Sequence, residues 1–357
     1  MPFTILALSG GGYLGLHEAV LLRELERALH RPIAEAFDLI CGSSIGAVTA
    51  MALAVGTPAR DIEAGFLQHG ARIFPGHVWR ASRPLAYLSS IRYMFRSRYR
   101  GEAVGETVDA IVGAQRTLGE ARTRLVIPVI NASTGRLEVI KTPHSERNWY
   151  YAELRLAEVA MAATAAPTYF PIASLRDQLY VDAGIFANSP GMFGLHEASH
   201  YCKVPTQAIH VLSLGTHVTR PRLTPRERRD LGALGWLKGG RLYTTMSAAQ
   251  RELTDNILRH ILEERYQRID GVPDLRGDVP LQFDNVSLAA SRRLIELGER
   301  AWSEAYAQPS IRRFIELLRG HAVDARWRAA VPDPAGPDHV GASIAATAKE
   351  QEPSGLT

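Results

Sequence analysis

Residues Phe37 to Val55 read FDLICGSSIGAVTAMALAV. Phe37, Leu39 and Ile40 make a short apolar strand, a glycine-flanked turn follows, and the small residues after it suit a helix. The turn spells Gly42-Ser43-Ser44-Ile45-Gly46, a G-x-S-x-G pattern. A serine on a sharp strand-to-helix turn has its hydroxyl pushed clear of the sheet, and side chains at the flanking glycines would collide. The amides and dipole at the start of the helix favour negative charge developing beside it. Ser44 is therefore the candidate nucleophile. Many ordinary strand–turn–helix junctions share these five residues, so the decision rests on the rest of the chain.

Upstream, Thr4 to Leu8 reads as a strand, and a helix runs to about His30 with Leu21, Leu22, Leu25, Ala28 and Leu29 on one face. Between them Gly10-x-Gly12-x-x-Gly15 matches the dinucleotide-binding fingerprint. That reading also needs an acidic residue closing the second strand. Here Asp38 opens that strand, and its end is the serine turn. The other use of such a loop is an oxyanion hole, in which the amides of Gly10, Gly11 and Gly12 face a developing alkoxide.

Downstream, Gly56-Thr57-Pro58 separates two helices, with Thr57 as N-cap and Pro58 at the first helical position. Leu125 to Asn131 and Leu137 to Lys141 read as strands joined by Ser133-Thr134-Gly135, and a helix follows near Glu153 to Ala163. The short strand Leu179 to Val181 runs into Asp182-Ala183-Gly184, then Asn188-Ser189-Pro190. An aspartate ending an apolar strand can reach a site at the sheet's edge. Without Ser44 it would read as a turn residue. His210 to Leu214 is a further strand. Helical patterns occupy about 244 to 266, 287 to 307 and 311 to 319, and a Pro-, Ala-, Gly- and Ser-rich tail begins at Pro332.

The 357 residues are 46% hydrophobic and 22% charged, with a formal charge of +4. No apolar run approaches the ~20 residues of a membrane-spanning helix. The N-terminus lacks a basic leader, so no signal peptide is expected. Cys41 and Cys202 offer neither metal spacing nor a disulfide framework, which suits a reducing cytoplasm. All but four of the 41 basic residues are arginine, whose planar fork suits phosphate and carboxylate. Residues 64 to 101 hold no acid, but interleave arginines, Arg92, Arg96 and Arg98 among them, with aromatic rings. A second basic run spans Arg220 to Arg229, including Arg226, with Trp236 and Tyr243 beyond it. Such segments suit a phosphate-rich ligand or lipid headgroups. They equally suit a solvated helical region whose arginines pair with acids elsewhere.

Taken together, the loop Gly10-Gly11-Gly12-x-x-Gly15, the elbow Gly42-x-Ser44-x-Gly46 and the motif Asp182-x-Gly184 with Asn188-x-Pro190 resemble the patatin-like phospholipase family. The stretch Ala163 to Pro171, ATAAPTYFP, is also similar to family members, and the resemblance covers about residues 3 to 217. It implies a three-layer α/β/α fold with a central, mostly parallel sheet. The expected organisation is a catalytic domain at 1–217, a helical C-terminal region at 218–330 packed on it, and a disordered tail at 331–357. The implied chemistry is hydrolysis of acyl esters in membrane phospholipids by a serine–aspartate dyad. Ser44 would be the nucleophile and Asp182 the base, with no metal or cofactor. Two positions depart from the family pattern: Leu14 stands where Arg or Lys is usual, and Ala183 where glycine is.

Finer features resemble the cyclic-oligonucleotide-activated phospholipases of bacterial anti-phage (CBASS) systems. These are Leu8 to Tyr13, Pro190 to Ala198 and Glu264 to Asp270. That resemblance implies a cyclic dinucleotide activator, transient contact with the inner membrane from the cytoplasm, homo-oligomerisation on activation, and no DNA or RNA partner. Arg92, Arg96, Arg98 and Arg226 are the candidate nucleotide or headgroup contacts. A constitutive lipid acyl hydrolase and a catalytically silent binding protein are the competing expectations.

Overall fold

The computed structural model describes residues 1–75, 96–217, 231–232, 235–236, 241–272, 274, 277, 279–324 and 327–328. Its centre is β1 (Phe3–Leu8), buried at every position. A strand covered on both faces reads as a continuous apolar run rather than an alternation. It pairs in parallel with β2 (Leu39–Gly42) on one side and β7 (Ile209–Leu214) on the other. The remaining strands are β3 (Arg124–Asn131), β4 (Arg136–Lys141), β5 (Ala173–Leu175), β6 (Gln178–Asp182) and β8 (Tyr266–Ile269). The order is β5-β6-β3-β2-β1-β7-β8, with β4 pairing β3. Neighbours from β3 through β8 along this path are parallel, whereas β4, β5 and β6 join antiparallel.

Helices cover both faces. On one, Leu6, Leu8, Ile40 and Ile127 pack with residues of α1 (Gly15–Leu29), α2 (Ile45–Ala54) and, after α3 (Ala59–Ile73) and α4 (Glu102–Val112), α5 (Leu156–Thr164). On the other, Ile5, Ala7, Cys41 and Val126 meet α7 (Gly191–His196), which follows the short α6 (Gly184–Ala187), and Leu258 and Leu262 of α8 (Arg241–Leu262). α9 (Leu288–Tyr306) and α10 (Pro309–Gly320) complete the first face beside α1. This is the expected α/β/α arrangement.

Local differences have physical causes. The region after residue 218 is not wholly helical, because residues 266–269 leave the helical pattern and form β8 beside β7. A boundary at 217/218 thus divides the sheet itself. The short segment YQRI hides its strand character because Arg268 is buried there, paired with Asp270 and Asp255. Pro58, not Thr57, is the N-cap of α3, so that helix starts at Ala59. The tail at 331–357, Arg92 and Arg226 lie outside the described residues.

Strand pairing also sets where the site forms. Val126 of β3 pairs with Cys41 and Lys141, so β2 and β4 lie on opposite edges of β3. Asn131 pairs with Arg136 and Tyr180, so β6 takes over, farther along, the edge that β2 occupies first. β6 runs antiparallel to β3 and carries its last residue, Asp182 opposite Val129, back towards the end of β2. The serine turn follows β2 at Gly42, so Asp182 returns to the sheet edge where that turn begins.

Asp38 fastens the start of this arrangement. Its buried carboxylate accepts the Thr4 amide at 2.8 Å, and His321 Nε2 lies 2.7 Å from it. It thereby joins β1, the approach to β2 and the end of α10. Asp38→Ala leaves the buried Thr4 amide and His321 unsatisfied, so we expect a loss of about 2–4 kcal/mol in denaturant-unfolding free energy. A loss under about 1 kcal/mol would contradict this role.

Candidate active site

Ser44 occupies φ 53°, ψ −126°, in the left-handed half of backbone space that side chains avoid. Such a residue costs of order 1–3 kcal/mol and persists only where its surroundings enforce it. Here they do. A Cβ on Gly42 would stand 2.3 Å from the Gly46 carbonyl oxygen, and one on Gly46 would stand 2.4 Å from that of Leu8. Ser44 precedes α2 as its N-cap, but its hydroxyl makes no capping bond. Gly15 seats α1 against the same corner, where a Cβ would meet Phe66 at 2.8 Å and Ile45 at 3.1 Å.

Asp182 is buried at the end of β6. Its Oδ1 accepts the Gly184 amide at 2.7 Å. Its Oδ2 is buried with no hydrogen-bond partner of ordinary geometry. Burial pushes the carboxyl up to about 6, opposed by the facing Ser44 hydroxyl and by the Gly184 amide. Ser44 thus lies within electrostatic reach of the carboxyl, and catalytic contacts often tighten only when substrate binds. Ala183 adopts φ −72°, ψ −8°, ordinary helical geometry, so this turn has no need of the family's glycine.

The glycine loop divides its amides between holding itself and facing the site. Gly10 donates to the Asn188 carbonyl at 2.9 Å, so its amide is not available to an oxyanion; this corrects its expected role. Its carbonyl accepts Thr216 Oγ1 at 2.8 Å and Asn188 Nδ2 at 3.2 Å. A Cβ on Gly10 would come within 3.0 Å of Ser44 Cβ, so the loop lies directly against the serine. Among the described residues the amides of Gly11 and Gly12 donate to nothing, and neither does that of Ile45, the first in α2. Gly12 sits at φ 57°, where a Cβ would lie 2.6 Å from the Phe283 carbonyl oxygen. Glu18, fully buried, accepts the Ser9 amide at 2.8 Å, and burial holds its carboxyl well above the usual range. Leu14 is buried in the apolar core and brings no cation to the loop.

A pocket opens beside Ser44, its lining almost wholly apolar. Tyr13, Val48, Phe66, Val108 and Phe283 are among its walls. The position and chemistry suit one hydrocarbon chain of an ester held at Ser44. Arg98, a candidate headgroup contact, instead donates to Asp284 at 2.7 Å and lies over the Tyr169 ring. That pairing ties it to the wall beside Phe283, whereas Arg96 is exposed. Thr216, Glu18 and Phe283 escaped the sequence reading, and Asn188 entered it only as a motif residue with no role. Their roles come from contacts across long stretches of chain, which local spacing does not encode. Among the described residues no group of His, Cys, Asp and Glu side chains is placed to hold a metal ion, and no helix is long and apolar enough to cross a membrane.

Comparison with known proteins agrees with this geometry. The patatin-like phospholipase family matches residues 6–192. A "cGAMP-activated phospholipase" of Pseudomonas aeruginosa is 35% identical over 327 residues, covering 90% of this chain and 93% of that protein. Proteins of the same description from Vibrio cholerae and Escherichia coli are each 30% identical, covering 85% of this chain and 91% and 90% of theirs. With the serine elbow, the glycine loop and the strand-end aspartate on one sheet edge, the chain belongs to the patatin-like phospholipase family.

Proposed function

We propose that this protein hydrolyses acyl esters of membrane phospholipids by a Ser44–Asp182 dyad and that a cyclic dinucleotide switches it on. The observation that carries the chemistry is the buried Asp182 carboxyl, with one oxygen free of hydrogen bonds, beside a strained serine that lines an apolar pocket. Asp182 takes the Ser44 proton as Oγ attacks the ester carbonyl. The Gly11 and Gly12 amides hold the resulting oxyanion, aided by the N-terminus of α2. Asp182 then returns the proton to the leaving alkoxide, and the lyso-lipid departs. Water, activated by the same carboxylate, hydrolyses the acyl-enzyme and regenerates the free serine.

Regulation is supported by relatives described as cGAMP-activated that align with this chain over nearly their whole length. An always-active phospholipase in the cytoplasm would degrade its own cell's membrane. A nucleotide-released enzyme that does so only during phage infection would meet both points. We expect Ser44→Ala and Asp182→Ala each to abolish hydrolysis of a fluorogenic phospholipid, with strongly non-additive losses. Turnover by Ser44→Ala would end the nucleophile assignment, and activity surviving in Asp182→Ala would move the base to a histidine such as His196 or His217. In the same assay cGAMP should stimulate the parent protein at least about tenfold, a coupling of about 1.4 kcal/mol. Full activity unaffected by a panel of cyclic di- and trinucleotides would leave a constitutive lipid hydrolase.

The raised carboxyl of Asp182 also has a stability consequence. Its folded-state value, about 6, lies above the ordinary 3.8. The folded state therefore holds its proton more tightly, and stability falls as pH rises from the unfolded value through about 6. Above that the ionised carboxylate costs about 3 kcal/mol. Asp182→Asn, which cannot ionise, should melt several degrees above the parent at pH 7.5, with the gap closing towards pH 4. An equal or lower melting temperature at pH 7.5 would contradict this.

A further inference from the structure

α8 lies outside the three sequence motifs, yet it grips the turn that follows Asp182. The Gln250 side chain holds the Ser189 backbone in both directions. Its Oε1 accepts the Ser189 amide at 2.9 Å, and its Nε2 donates to the Ser189 carbonyl at 3.1 Å. Nε2 also donates to Thr254 Oγ1 at 2.8 Å, which fixes the carboxamide's orientation. On the same side of the helix, Ser247 Oγ donates to the Gly184 carbonyl at 3.4 Å and the Tyr243 hydroxyl to Asn188 Oδ1 at 3.5 Å.

Asn188, the residue before Ser189, joins the two halves of the site. Its carbonyl and its Nδ2 hold Gly10 on the loop side. Its Oδ1 lies close to the position a Gly184 Cβ would take, which is itself 3.0 Å from Asp182 Oδ1. Displacing Ser189 therefore moves the glycine loop and the aspartate turn together. Reaction rates respond steeply to such shifts, with about 10²-fold lost for a displacement near 1 Å.

We propose that Gln250 is a positioning residue: by clamping the Ser189 backbone it sets Asn188, and through it the spacing between the glycine loop and Asp182. The inference rests on the Ser44–Asp182 reading and adds α8 as the element that sets the dyad's geometry.

The test measures hydrolysis of a small soluble ester by the full chain, in which lipid docking plays no part. Gln250→Ala should lower kcat at least about tenfold with KM changed less than about twofold. It should also admit water to Asp182 and move the midpoint of kcat/KM against pH down from about 6 towards the ordinary carboxylate range. Gln250→Glu keeps the acceptor for the Ser189 amide but loses the donor to its carbonyl, so its kcat should fall between; it also serves if the alanine variant fails to fold. Leu253→Ala, on the exposed side of the same helix, should match the parent. A kcat within twofold of the parent, or a loss that tracks only the unfolded fraction with an unmoved pH midpoint, would overturn the proposal. Ser44→Ala, assayed in parallel, separates the two levels, since its activity would refute the dyad whatever Gln250 does.

Discussion

Ser44 is held at a positive φ by two glycines that touch backbone, and the rest of the site is placed relative to it. Gly46 lets the first turn of α2 rest on the Leu8 carbonyl at the end of β1, and Gly42 lets the same turn fold back over the end of β2. Neither strand can shift without disturbing the serine. The sheet then supplies the aspartate through the edge of β3 that β2 and β6 share. The strain at the serine is thus supported by β1 and β2, both buried at every position, which is where a cost of order 1–3 kcal/mol is best absorbed.

Electrostatics follow from this placement. A carboxylate is a weak base for an alcohol, and two features of the surroundings would strengthen Asp182 in the base role proposed for it. Burial raises Asp182, and the apolar cavity beside Ser44 strengthens every charge interaction in the site. In the proposed mechanism, with Leu14 in place of a cation, positive potential for the oxyanion would come from backbone: the amides of Gly11 and Gly12 and the start of α2. Gly10 serves a different purpose, tying the loop through Asn188 to the aspartate turn.

The candidate site was legible in the sequence wherever it depends on local backbone geometry. A strained serine needs its flanking glycines, a close loop needs its own, and Asp182 ends an apolar strand; each leaves a short pattern. What depends on distant partners left none. Asp284 neutralises Arg98 from 186 positions away. Buried charge disguised β8, because Arg268 in a strand is tolerable only with Asp255 and Asp270 beside it. Similarly, Gly10 gave no hint that its amide is claimed by the Asn188 carbonyl, a contact created only when β6 and its turn fold against β1.

The central claim is that Asp182 acts directly on Ser44 as its base, and covalent labelling tests it without a lipid, in the presence and absence of cGAMP. A fluorophosphonate reacts with an activated serine and can be located by peptide mass mapping. The account predicts modification at Ser44, at a rate that rises with pH to a plateau with its midpoint near 6. In Asp182→Ala the rate should fall by about 10²-fold or more. Labelling of a different serine, or a Ser44 rate that is unchanged in Asp182→Ala, would contradict it.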